Sequence, residues 1–455
     1  MPFIKRLNPH NAQVTIGTGF SIRKVSSNLV SPINIQDSQR FNHWLTVGTT
    51  GSGKTRLLEH IVSHDIRQNY SVAVFDPKPD EGLFARIIWE ANRAGRLDDI
   101  IIVRPDMPEI SARVNPFAFF AQPEELVQHV MAGIPPNTEE FFRKIAYEVS
   151  LCAILGKWIL AKYAGQEFHL TVEELWEAIS RQKLINLFEQ IRSLPENAAG
   201  NYQKTVTTAL EALIASPQDY FAKVTSTLRT VLTAISLGAL GEIVGHTQEN
   251  AFVERIIQGR PFILVVQVLS LVMRDAGLSL QRMVLSMLQN LAGNVYIGRI
   301  PELKSRFEPP LMIHVDELSE ALYWDFITFL NKVRGCGVGI HALTQSVADL
   351  TDIVKHENAR RLLDNFNTQL FFRVNDPETS RYVASKAGSR KVFTRIFAGG
   401  AFSGREMREP VLDTASALEL PDRVFYLFTQ SDGKHSSYRG RTVNIENVPL
   451  RVRYG

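Results

Sequence analysis

Eight residues constrain this chain more than any others: Gly48-Thr49-Thr50-Gly51-Ser52-Gly53-Lys54-Thr55, which fill the pattern GxxxxGK[ST] completely. An apolar run, residues 44–47, leads into them. Leu57, Leu58, Ile61 and Val62 follow on one helical face. The order is strand, glycine-rich loop, helix. Such a loop wraps its backbone tightly, so that successive N–H groups point at one anion. The helix that follows adds the partial positive charge of its N-terminus. Gly48, Thr49, Thr50, Gly51, Ser52, Gly53, Lys54 and Thr55 are therefore the candidate triphosphate cradle. Lys54 would reach the β- and γ-phosphates of ATP, and the Thr55 hydroxyl would ligate Mg2+.

A chain built on that unit is expected to be α/β with a largely parallel sheet. Short, apolar and mostly β-branched runs read as strands at 44–47, 72–75, 100–103, 262–266, 311–315, 339–343 and 369–373. Residues 123–244 break the alternation. They carry apolar residues at helical spacing, such as Phe142, Ile145, Val149 and Ile154, and are expected to form an all-helical insertion. The expected domains are thus 1–122 and 245–455 for the two parts of the nucleotide-binding unit, with 123–244 inserted. The tail from Gly399 onward, rich in Gly, Ser and Arg, is expected to form loops. A terminal edge strand is expected around Val443, Ile445, Arg451 and Arg453.

Leu311-Met312-Ile313-His314-Val315-Asp316-Glu317 reads as a buried strand ending in two carboxylates. Asp316 would hold the magnesium, and Glu317 would polarise the attacking water. His314 reads as a packed core histidine. Asp76-Pro77-Lys78 follows another strand, at the carboxyl end where ligands bind in such sheets. Asp76 and Lys78 are therefore further nucleotide-site candidates. Gln345, in Thr344-Gln345-Ser346, would sense the γ-phosphate or orient the water; the plainer alternative is a strand cap. Arg334 lies beside a glycine-rich turn and suits a finger reaching the ATP of a neighbouring subunit, with Arg373 and Arg381 as competitors.

Composition narrows the alternatives. The chain has 455 residues, 45% hydrophobic and 21% charged, which is ordinary globular usage. Its 50 basic residues nearly balance 47 acidic ones, so any DNA contact must come from local patches or a channel. Cys152 and Cys336 form no metal-ligand spacing. The most apolar run, residues 262–273, suits a buried strand and is too short to span a bilayer. Residues 149–164 are apolar but carry Lys157 and Lys162, as a core helix does.

The motif order then becomes informative. The cradle, VFDPKPD at 74–80, the helical insertion, HVDEL at 314–318 and RGCGVGIHALTQS at 334–346 together resemble the conjugative coupling proteins, the TraD/TraG-type ATPases of type IV secretion. Residues 104–117 (RPDMPEISARVNPF) are similar to the TraD subfamily, while Gly17-Thr18-Gly19-Phe20 and the closing Leu420-Pro421 are similar to the family as a whole. Residues 365–384 are similar to that family and also to the matching FtsK segment. The resemblance implies a RecA-like P-loop core with an all-α domain, a homohexameric ring with ATP between subunits, and DNA in the central channel. It implies delivery of relaxase-bound single-stranded DNA, with relaxosome and type IV secretion proteins as partners. It also implies a DNA-stimulated ATPase at the cytoplasmic face of the bacterial inner membrane. By position it carries Lys54 and Thr55 to nucleotide and magnesium, Asp316 and Glu317 to the hydrolysis pair, Gln345 to sensing and Arg334 to the finger. Two departures stand out. No membrane-spanning helix is read in the sequence: the expectation is an anchorless variant soluble in the cytoplasm, an anchor supplied by a separate protein, or a truncated form. DPKPD also stands where relatives tend to have DPKGD. An FtsK- or HerA-like double-stranded DNA translocase and an ATP-dependent protein-cargo receptor are the alternative readings.

Overall fold

A computed structural model describes residues 12–23, 29–196, 198, 200–398, 401–431 and 433–449. Thirteen strands are present among them: β1 Gln13–Ser21, β2 Ser31–Gln36, β3 Trp44–Val47, β4 Ser71–Asp76, β5 Ile100–Val103, β6 Ile263–Gln267, β7 Leu311–Val315, β8 Val338–Thr344, β9 Thr368–Phe371, β10 Ser389–Ala398, β11 Ala401–Pro410, β12 Val424–Ser431 and β13 Lys434–Thr442. Eleven of them form one sheet, in the order β2-β1-β13-β12-β9-β3-β8-β7-β4-β6-β5. From β9 to β5 every pairing is parallel. All seven strands read from the sequence lie in this half. Six of the seven are buried at every position, as strands covered on both faces must be. The exception, β5, is the outer edge, and its burial alternates.

The other half is antiparallel. β12 pairs with β9, β13 with β12, β1 with β13 and β2 with β1. This corrects the expected terminal edge strand. The last strand ends at Thr442 and lies inside the sheet between β1 and β12, while β2 forms the edge. Val443 follows as irregular chain, its N–H on Ile16 O at 3.1 Å. Ile445 lies in the same irregular stretch, and Arg451 and Arg453 lie outside the described residues. Glycine permits the closure: a Cβ at Gly17 would stand 2.0 Å from Arg441 O, and one at Gly19 2.2 Å from Arg439 O. β10 and β11 form a separate hairpin.

The helices are α1 Asp37–Arg40, α2 Lys54–Arg67, α3 Glu81–Arg93, α4 Glu124–Gly133 and α5 Glu140–Tyr163. Next come α6 Val172–Ala178, α7 Arg181–Arg192, α8 Asn201–Ala215, α9 Gln218–Val224, α10 Ser226–Ser236, α11 Gly238–Leu240 and α12 Ala251–Ile257. The last are α13 Ser270–Tyr296, α14 Leu318–Ala321, α15 Phe326–Val333, α16 Val347–Asp364 and α17 Pro377–Ala387. Helices α4–α12 fill the chain between β5 and β6. α5 buries Val149, Ala153, Ile154 and Ile159, and no single helix among the described residues is long and apolar enough to cross a membrane. α4 does not stay within the insertion. Its Glu125 accepts from Asn290 (3.0 Å) within α13 and from Arg299 (3.3 Å) just beyond its end.

Behind the sheet a buried charged network ties α1, α2 and β7 together. Arg40 donates to both oxygens of Asp65 (2.6 and 2.5 Å) and to Asp37 (3.0 Å). His314 Nε2 stands 2.9 Å from Asp65 Oδ2, and both side chains are fully buried. The expected core histidine is thus packed and also hydrogen-bonded. The Arg40 guanidinium and His314 hold the Asp65 carboxyl well below the usual range despite its burial.

Candidate functional site

The carboxyl ends of β3, β4, β7 and β8 converge on a cleft of about 250 Å3. Its wall contains Thr49, Thr50, Gly51, Gly53, Lys54, Thr55, Asp76, Lys78, Asp316, Glu317 and Gln345. The loop before α2 is a tight wrap. Gly51 and Gly53 adopt φ of 78° and 112°, left-handed conformations that favour glycine. A Cβ on Gly48 would come within 2.8 Å of both Phe372 Cβ and Ser52 Oγ. Gly48 N–H donates to Thr344 O at 3.1 Å and Thr49 N–H to Arg373 O at 2.8 Å, pinning the loop to β8 and to the chain after β9. Ser52 Oγ closes it on Thr49 O at 2.7 Å. Among the described residues, no acceptor pairs with the amides of Thr50, Gly51, Gly53, Lys54 and Thr55. Five N–H groups around one loop at a helix N-terminus fit a polyphosphate.

Lys54 Nζ rests on the carbonyls of Gly48 and Thr49 (3.2 Å to the latter). Burial lowers its pKa, and Glu317 and Asp316 counter that effect. Asp316 is half-buried, its N–H on Phe75 O at 2.8 Å. Burial, with Asp76 and Glu317 close by, pushes its carboxyl up to about 7. Such crowding of carboxylates suits a cation. Among the described residues, neither the Asp316 carboxylate nor the Thr55 hydroxyl takes part in a hydrogen bond or ion pair, and no cluster of three His, Cys, Asp or Glu could hold a metal. One carboxylate and one hydroxyl, completed by phosphate oxygens and water, is the sparse protein share that Mg2+ takes.

Glu317 is held from several sides. Its backbone is left-handed, with φ of 65°, a costly conformation for a residue with a side chain. That turn aims the carboxylate at the end of β8. Gln345 Nε2 donates to Oε2 at 2.9 Å, and Lys78 Nζ stands 3.5 Å from the same oxygen. Ser319 Oγ donates to Oε1 at 2.9 Å, with Thr344 Oγ1 at 3.4 Å. Ser319 and Thr344 were not singled out in the sequence, although each lies within two residues of a residue that was. Asn375 was also missed; its Nδ2 donates to Thr49 Oγ1 at 3.2 Å, and nothing local in the sequence points to it.

Asp76 lines the cleft but spends both oxygens within the chain. It accepts from Lys78 N–H (2.9 Å), Asp80 N–H (2.7 Å) and Gln267 Nε2 (3.0 Å). Its geometry holds the loop that presents Lys78. Arg334 is not brought to the cleft. It is exposed, just before the start of β8, roughly 20 Å (the length of that strand) from the end where the cleft lies. It can serve a cleft only in another copy. Arg373 pairs with Asp422 at 2.8 Å on the cleft side, and Arg381 is exposed on α17.

Residues 310–421 match the family model described as the TraM recognition site of TraD and TraG. That segment is similar to TraD and TraG. A search of curated protein sequences returns no match. Solved structures agree on the fold. The chain superposes on the bacterial conjugative coupling protein TrwBdeltaN70 with a TM-score of 0.63 at 15% identity, covering 97% of this chain and 96% of that one. TrwB in complex with ADP and Mg2+ gives 0.61 at 16% identity, covering 96% of each chain. VirB4 of Thermoanaerobacter pseudethanolicus gives 0.51 at 11%, covering 95% and 97%. The fold is the RecA-like P-loop ATPase core, with an antiparallel half added to its parallel sheet.

Proposed function

We propose that this chain is an ATP-driven motor that moves DNA and couples relaxase-bound DNA to a type IV secretion channel during conjugative transfer. The observation that carries the reading is the single cleft that gathers Lys54, Thr55, Asp316, Glu317 and Gln345 in a chain with a segment similar to TraD and TraG. The free amides of the loop and Lys54 bind the phosphates of ATP. Thr55 and Asp316 hold Mg2+. The ion, when bound, supplies charge that offsets the negative charge growing on the phosphate oxygens. Glu317 accepts a proton from the attacking water, and Gln345 fixes the carboxylate oxygen that does so. Lys78, 3.5 Å from the same oxygen, offsets the charge of Glu317. Arg334 completes the cleft of a neighbouring copy in a hexameric ring.

DNA contact through the ring would run along phosphates. Binding would then be sequence-tolerant and would weaken steeply with salt. The matched segment, described for its relatives as a recognition site for TraM, supports a relaxosome protein as partner. ATP hydrolysis by the purified chain, with and without single-stranded DNA, tests the motor directly. Stimulation by DNA that disappears in Lys54→Ala and Glu317→Gln is the expected result. Hydrolysis indifferent to DNA of either form would overturn the motor and favour an ATP-dependent protein receptor.

A further inference from the structure

Among the described residues the buried arginines are Arg40, Arg86, Arg96, Arg104 and Arg282. The first four each meet a carboxylate: Arg40 on Asp65, Arg86 on Glu59, Arg96 on Asp99 and Arg104 on Asp106. Arg282, 4% exposed in the middle of α13, has no carboxylate within ion-pair reach among those residues. Its guanidinium donates instead to neutral oxygens: Gly133 O at 3.3 Å, Ser279 Oγ at 3.3 Å and the backbone Glu320 O at 3.4 Å. Its Nε has no partner. Burial pulls its pKa down to about 10, with Asp275 and Glu320 acting against that, so the charge persists near neutral pH. A buried charge matched only by long bonds to neutral groups is costly, and an apolar side chain of similar volume would serve packing better.

The two carbonyls give the charge a use. Gly133 is the last residue of α4, where carbonyls lack helical partners and the helix dipole is negative. α4 and α13 approach closely there: a Cβ on Gly133 would stand 3.1 Å from Sδ of Met283, the residue after Arg282. Glu320 lies in α14, a four-residue turn whose N-cap is Glu317. Within that turn Glu320 N–H donates to Glu317 O at 3.1 Å. One guanidinium thus joins the end of the insertion's first helix to the turn that carries Glu317. The Glu317 backbone is left-handed, so the direction of its carboxylate depends on what holds that turn. Gln345, Ser319 and Thr344 hold the carboxylate itself, and Arg282 holds the backbone behind it.

We infer that Arg282 is a positioning residue for hydrolysis, clamping the Glu317 turn to the end of α4 so that the carboxylate faces the attacking water. The inference rests on the assignment of Glu317 as the base. Arg282 is not part of the cleft wall and acts only through Glu320 and Glu317. The helical insertion thereby bears on the hydrolysis pair through one side chain. A shift of α4 against α13 would carry Glu320 O with it and turn the Glu317 carboxylate.

The test compares the full parent chain with Arg282→Met, Glu317→Gln and the double variant, with and without single-stranded DNA. Arg282→Met keeps the volume and removes the fork. Its kcat should fall about tenfold, while KM and the affinity for a fluorescent ATP analogue stay within about twofold. In the Glu317→Gln background the same substitution should change single-turnover hydrolysis of radiolabelled ATP by less than about twofold, because no base is left to position. Arg282→Lys keeps the charge but not the fork, and it carries the test where Arg282→Met does not fold. Its loss should be about threefold and should also vanish in the Glu317→Gln background. Parent-like kcat in every folded Arg282 variant, a loss that persists in full without Glu317, or a loss of analogue affinity equal to that in kcat would overturn the positioning role. Parent-like hydrolysis by Glu317→Gln would instead remove the base assignment, and the inference with it.

Discussion

Gln345 Nε2 donates to Glu317 Oε2 at 2.9 Å, so the amide after β8 sets the direction of the carboxylate after β7. Glu317→Gln should lower kcat for ATP hydrolysis by about 10^2 to 10^4 and leave KM within a few-fold. Gln345→Ala removes a hydrogen bond to a charged group and should lower kcat by roughly tenfold at similar KM. Steady-state kinetics on both variants checks this, and a Gln345→Ala change confined to KM would assign that side chain to binding instead.

Lys54 has a different signature. Its ammonium is the only cation in the wrap of the loop itself, beside five unpaired amides. Lys54→Ala should weaken nucleotide binding by roughly 10- to 100-fold. Titration of a fluorescent ATP analogue measures it. Unchanged affinity would mean that the amides alone hold the phosphates.

The Arg40–Asp65–His314 network makes an acid-sensitive prediction. Asp65 has a folded pKa depressed below its unfolded value. Its contribution to stability is therefore present above the unfolded value, near pH 4, and is lost as pH falls through the folded one. Asp65→Asn would leave buried Arg40 with Asp37 as its remaining carboxylate partner, costing about 3 kcal/mol near neutral pH. Chemical denaturation from pH 7 down to pH 3 should show a constant gap between parent and variant until about pH 4, narrowing below it.

At the junction of β1 and β13 no space exists for a methyl group. Gly17→Ala and Gly19→Ala would each press a Cβ into a β13 carbonyl and should cost about 1–3 kcal/mol. Thermal melts of the two variants, against Gly51→Ala with no atom within 4 Å of its added Cβ, separate crowding from backbone preference.

The parallel half of the fold was legible because its strands are buried on both faces and so are written as short apolar runs, Ile263–Gln267 and Leu311–Val315 among them. The cleft was legible because Gly51, Gly53, Lys54 and Thr55 carry their chemistry in fixed local spacing. The antiparallel half was not. β1 carries little strand signal because Gly17 and Gly19 serve a partner strand hundreds of residues away, and β13 buries only Ser437 and Gly440 among polar neighbours. Likewise the left-handed backbone of Glu317 and the Asp65–His314 bond depend on tertiary neighbours that no local spacing encodes.

The pairing of Gly17 with Thr442 and of Ser21 with Tyr438 sets an order on biosynthesis. On the ribosome, β1 and β2 emerge long before β13, which is made only after the parallel strands and the helical insertion. The nascent chain must carry a two-stranded ribbon with a bare apolar face through most of translation. Slowing or truncating synthesis beyond β9 would then release a nucleotide-binding half with its sheet still open, a species suited to chaperone capture or aggregation.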